Sequence, residues 1–200
     1  MNLSGINEIN KREAYRYMGF RSSTPPDSFI AITLECEKKL LKVAKPKMVY
    51  RVFEAEDFTD DGVKLKGSSL FLKGQNIKKL LGGCRHAGIF AATLGVGVDT
   101  LIRQLEAADI TSGFIADNLA SALIEQVCDQ TEKEIANALG NVTLTTRFSC
   151  GYGDLPLESQ GEFLKAVDAT KEIGICMTDT LIMIPRKSVT AVMGIKDYGF

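Results

Sequence analysis

The sequence predicts an α+β fold: a single domain built on a mainly antiparallel, twisted sheet flanked by helices. Three observations predict it. Helix-like and strand-like segments are interspersed without the regular βαβ units of a parallel sheet. Residues 114–139 repeat Ile115, Leu119, Ala122, Leu123, Val127, Ile135 and Leu139 at mostly three- and four-residue steps, the period of one long helix. Residues 173–184 and 188–195 are apolar runs on either side of Pro185-Arg186-Lys187, which reads as a terminal hairpin. Two hundred residues suffice for one ordinary core. No repeat, low-complexity tract or linker divides the chain. Residues 1–30 are expected to form a helical arm, and residues 31–200 the domain.

Each element has its own signal. Ile6, Ile9, Tyr17 and Met18 predict a helix over 6–18, stopped by Gly19. After Thr24-Pro25-Pro26, Asp27 can cap a second helix carrying Phe29, Cys36, Leu40 and Val43, which Pro46 ends. Residues 48–53 alternate as a strand. Asp60-Asp61-Gly62 is a turn before two short strands, 63–66 and 70–72. A brief helix over 77–81 runs into Gly82-Gly83. Residues 87–94 are apolar throughout, as in a strand covered on both faces, and residues 99–107 read as a helix. Gly140 closes the long helix. Residues 144–147 are then a strand, and 158–167 a helix.

Composition excludes several functions. A net charge of −1 with scattered lysines offers no basic face for nucleic acid. No apolar run approaches the ~20 residues that span a bilayer, and the first residues lack a basic region followed by an apolar core. The expected location is the cytoplasm. Five widely spaced cysteines form neither a disulfide framework nor a Cys-x-x-Cys motif, and one histidine, His86, cannot build a metal site. His86 lies two residues from Cys84, but a surface or hydrogen-bonded histidine is the simpler reading. Gly95-Val96-Gly97, after a buried strand and before a helix, resembles the start of a nucleotide-binding turn. Thr100 stands where the third glycine belongs and no Walker lysine follows, so the segment falls short of a phosphate-binding turn and reads as tight strand-to-helix packing.

The densest functional signal is Arg147-Phe148-Ser149-Cys150-Gly151-Tyr152-Gly153-Asp154-Leu155-Pro156. A guanidinium can pair with a carboxylate, two glycines permit close backbone approach, and a tyrosine offers a flat face with a polar tip. Together with Gly174, Thr178, Asp179, Met183, Pro185, Ser188 and Val189, this loop resembles the S-adenosylmethionine-binding activation domain of cobalamin-dependent methionine synthase over roughly residues 114–195.

The resemblance implies that Arg147 holds the ligand's amino-acid carboxylate, that Ser149 and Gly151 line the same pocket, and that Tyr152 faces a corrin ring. It also implies an acid for the ligand's amino group, with Asp99 and Asp117 as candidates. A corrin-approaching glutamate on the long helix aligns with Ser121 here. The chain carries no Asp-x-His-x-x-Gly cobalt-ligand motif, so the cobalamin would be carried by a partner, a methionine synthase lacking its own activation domain. The implied function is support for reductive methylation of cob(II)alamin, with an electron donor such as flavodoxin or ferredoxin. The alternative is a non-catalytic S-adenosylmethionine sensor or docking module for another corrinoid protein.

Overall fold

The structure, a computed structural model, describes residues 6–20, 23–140 and 142–196. Among these, helix α1 (Lys11–Tyr17) is shorter than the apolar spacing predicts. Asn10 ends it by accepting the Glu13 N–H at 3.2 Å, while Ile9 is drawn into the core, its N–H donating to Glu37 at 2.8 Å. The arm is stitched to the body by Gln126, which accepts the Asn10 N–H at 2.8 Å and donates to the Glu8 carbonyl at 3.1 Å. Helix α2 (Asp27–Val43) follows; Asp27 lies in its first turn and makes no side-chain cap bond.

Strands β1 (Lys47–Phe58), β2 (Gly62–Leu65) and β3 (Phe71–Lys73) lead to α3 (Gln75–Leu81) and β4 (His86–Thr93). Helices α4 (Val96–Ala108) and α5 (Ile110–Ala138) pack as a corner, where Gly113 admits Glu106 so closely that a Cβ would lie 2.6 Å from its Cα. Beyond come β5 (Thr143–Leu144), a 3₁₀ turn at Leu157–Ser159, α6 (Gln160–Ala166), α7 (Ala169–Ile173), β6 (Cys176–Met177), β7 (Met183–Ile184) and β8 (Ser188–Lys196).

The main sheet has the order β3-β2-β1-β4-β8-β5, every neighbouring pair antiparallel, which is the expected α+β architecture. Phe90 and Ala92 of β4 face a core formed with α2, α4 and α5, while Ile89 and Ala91 face a second core formed with α3, α6 and α7. Helices cover both faces of β4, which explains its unbroken apolar run.

The expected terminal hairpin does not form. Residues 173–184 break into the end of α7, the two short strands β6 and β7, and a turn in which Thr178 accepts the Ile182 N–H. β7 pairs with β6, while β8 inserts between β4 and β5. Predicted strand 144–147 also shrinks, leaving β5 at Thr143–Leu144, a Thr145 N–H bond to the Gly194 carbonyl at 2.9 Å and the isolated Phe148–Val192 bridge.

Candidate functional site

β5 delivers the arginine loop from the sheet edge. The Phe148 N–H donates to the Val192 carbonyl at 2.9 Å, so residue 147 leaves the ladder pointing over α5. The loop then folds on itself: Gly151 donates to the Leu155 carbonyl, Tyr152 to that of Ser149, and Leu155 to that of Tyr152. Gly151 (φ 83°) and Gly153 (φ 53°) supply the left-handed turns this requires. Asp154 anchors the loop from outside, its carboxylate accepting the Gln75 N–H at 2.6 Å and the Asn76 N–H at 3.2 Å at the start of α3. Gly74 (φ 120°) is needed there, since a Cβ would lie 2.5 Å from Asp154 Oδ1.

Arg147 is the most heavily paired side chain of the loop. Its Nη2 donates to Glu125 Oε2 at 2.6 Å, and its Nη1 to Asp129 Oδ1 at 2.8 Å and Glu132 Oε1 at 2.6 Å. Desolvation opposes the charge, but hydrogen bonds to Glu132, Asp129 and Glu125 overcome it and hold the guanidinium above its ordinary range. Of five N–H donors, three are used, leaving Nε–H and one Nη2–H without a hydrogen bond among the described residues.

Arg147 ends a groove of about 290 Å³ walled by Glu13 and Tyr17 of α1 and by Ala122, Glu125 and Asp129 of α5. Tyr17 and Glu125 also line a neighbouring groove, of about 480 Å³, whose far side carries Ser121, Arg186 and Lys187. On this far side Lys187, with 15% side-chain exposure, pairs with Asp117 at 2.9 Å and donates to Ser121 Oγ at 2.9 Å. The outer sides of the two grooves thus carry cations, with carboxylates between them.

The predicted site residues divide. Arg147 lines the groove, whereas Ser149, Gly151 and Tyr152 do not. Tyr152 stands at the loop tip, 73% exposed, its ring edge-on to Phe148 at 6.2 Å. Of the two acids considered for an amino group, Asp117 is bound to Lys187 at the far side of the neighbouring groove, while Asp99 accepts the Arg186 N–H at 2.8 Å. The sequence reading missed Glu125, Asp129, Glu132, Lys187 and Tyr17 as site residues; steps of four and three put the three acids on one helix face and were the signal available, whereas Tyr17 had no such signal.

None of the five cysteines forms a disulfide. Burial pushes the Cys150 thiol up to about 12, while Cys176 is exposed. Because the thiolate is the reacting species, iodoacetamide at pH 8 is expected to label Cys176 first and Cys150 more than about a hundredfold more slowly. Peptide mass spectrometry over time checks this; equal rates would mean an open loop. His86 begins β4 opposite Ile195, and the Cys84 thiol is buried beside Gly194. The described residues hold no cluster of three or more metal-ligating side chains and no helix long and apolar enough to cross a membrane.

Comparison with known proteins agrees with the architecture. Among solved structures, the crystal structure of the MetH reactivation domain bound to AdoHcy matches at a TM-score of 0.71 and 17% identity, covering 96% of this chain and 75% of that one. A search of curated proteins finds no match. The family model of the vitamin B12-dependent methionine synthase activation domain matches residues 74–197, from the glycine under Asp154 to the end of β8. Since that match spans well over half of the chain, the protein belongs to the family of vitamin B12-dependent methionine synthase activation domains.

Proposed function

We propose that this domain binds S-adenosylmethionine along the α1–α5 groove and serves as a reactivation module for a cobalamin-carrying methionine synthase that lacks its own copy. The observation that carries the reading is the charge layout of that groove. S-adenosylmethionine has a carboxylate, an ammonium and a sulfonium. The two remaining N–H donors of Arg147 suit the carboxylate. Glu13, Glu125 and Asp129 suit the two cationic centres. The acids also fix the guanidinium before a ligand arrives, which lowers the ordering cost of binding. Family membership and the AdoHcy-bound relative support the same ligand class.

The bound ligand would supply a methyl group to the partner's corrin, and the electron would come from a donor of the flavodoxin or ferredoxin kind. This chain's contribution is position. Ser149 and Gly151 shape the loop that carries the arginine, the Gly151 N–H closing it on the Leu155 carbonyl, and the exposed Tyr152 is the side chain offered to the corrin. The test uses calorimetry with S-adenosylmethionine, then methyl-cobalamin formation with a cobalamin-loaded synthase under reducing conditions. Tyr152→Ala is expected to keep affinity and melting temperature while slowing methyl-cobalamin formation, because an exposed ring contributes little to the core. Binding without any methyl transfer would identify a sensor or docking module. Absence of binding would overturn the proposal.

A further inference from the structure

A further unassigned cleft lies on the other side of the Pro185–Ser188 turn from the α1–α5 groove. It is a half-enclosed cleft of about 600 Å³ between the end of α2, the Gly95-Val96-Gly97 turn and the end of α7. Its size falls within the usual range for small-molecule pockets. Lys42, Lys45 and Lys47 line it, and no carboxylate does. None of the three lysines enters a salt bridge among the described residues, unlike Lys11, Lys39, Lys66, Lys165 and Lys187. The nearby acid Asp99 is committed to the Arg186 N–H. Three lysines therefore line one concavity with no carboxylate in its wall and no salt bridge among the described residues.

The remaining wall is apolar: Val43, Val96, Ile173 and Pro185. Val96 is 62% exposed, which a valine at a packed strand-to-helix turn does not need to be. The glycine turn itself serves packing, since a Cβ on Gly97 would lie 3.0 Å from the Val43 carbonyl oxygen. It brings the end of α2, and with it Lys42 and Lys45, against β4 and α4. The Lys45 N–H donates to the Leu94 carbonyl at 2.9 Å and fixes that approach.

We infer that this cleft is a second ligand site, for a small molecule that joins a phosphate or diphosphate group to an apolar body. The lysines take the anion, and Val43, Val96, Ile173 and Pro185 take the body. Enclosure favours a small molecule over the flat face of an acidic protein. The inference is independent of S-adenosylmethionine binding, which uses other residues.

The test is calorimetry of the full chain with adenosine 5′-diphosphate and with inorganic pyrophosphate at low salt. Lys45→Gln/Lys47→Gln serves as the cleft variant, and Lys64→Gln/Lys79→Gln as a control of equal charge change. Saturable binding of the diphosphate nucleoside is expected, tighter than that of pyrophosphate. It should weaken at least about tenfold in the cleft variant and within about twofold in the control. Amide NMR signals of Val96, Gly97 and Gly174 should shift on titration. No saturable binding, equal weakening in both variants, or shifts confined to other residues would overturn the site. Equal affinity for the two probes would overturn its apolar half. S-adenosylmethionine titrated into the same samples should bind both variants alike; if it fails to bind while the nucleotide binds, the proposed function falls and the cleft stands.

Discussion

Arg147→Ala is expected to lower both folding stability, by about 2 kcal/mol, and S-adenosylmethionine affinity, by roughly ten- to a hundredfold. The two losses have separate causes. The stability loss comes from Glu125, Asp129 and Glu132, left without their shared counter-charge on one face of α5. A fully buried set would cost more, but these acids are 25–59% exposed and water compensates part of the loss. High salt should therefore narrow the stability gap. The affinity loss follows from the ligand carboxylate losing its donors. Arg147→Lys should recover much of the stability and less of the affinity, since an ammonium cannot hold three acids and still offer a planar fork. Urea unfolding and calorimetry on both variants check this; an unchanged affinity in Arg147→Ala would remove the arginine from the site.

The larger stability effect is expected from Phe90→Ala, at about 3–5 kcal/mol. Phe90 is fully buried on β4, where Met48, Leu94, Leu119 and Met193 belong to the same cluster, and truncation leaves a cavity between the sheet and α5. Phe90→Leu should cost less because most of the volume is kept. Urea midpoints report the difference. Ligand affinity of the folded fraction should stay near that of the parent chain, in contrast to Arg147→Ala. A loss below about 1 kcal/mol would mean the core collapses around the missing ring.

What could be read from the sequence followed the length of the signal. Residues 87–94 form β4 almost as read, and the apolar period over 114–139 identifies α5, although the helix starts at Ile110 where Asp109 caps it. Of the short runs, 63–66, 70–72 and 77–81 match β2, β3 and α3 closely, whereas 144–147 and 173–184 do not form the strands expected. Nothing local distinguishes a strand ending at Ile184 from one that pairs with β8, because the edge of β8 is claimed by β5, some fifty residues earlier. The site shows the same pattern. Arg147 and its glycines stand out as a contiguous motif, whereas the groove wall at Tyr17 depends on how an arm held by Gln126 lies against α5. Contacts made across more than a hundred residues leave no local mark.

The position of β8 between β4 and β5 also has a consequence for synthesis. Thr93 pairs with Ser188 and His86 with Ile195, so the central strand waits for about a hundred further residues before its second edge is covered. During that interval β1 can already zip onto one side of β4 through the Lys47–Thr93 to Glu54–His86 register, leaving the other side as an apolar, unpaired strand edge. Such an edge is a template for joining another chain. The nascent protein is therefore expected to be most prone to aggregate before residues 188–196 are available to pair, because closure of the sheet by β8 is a long-range step.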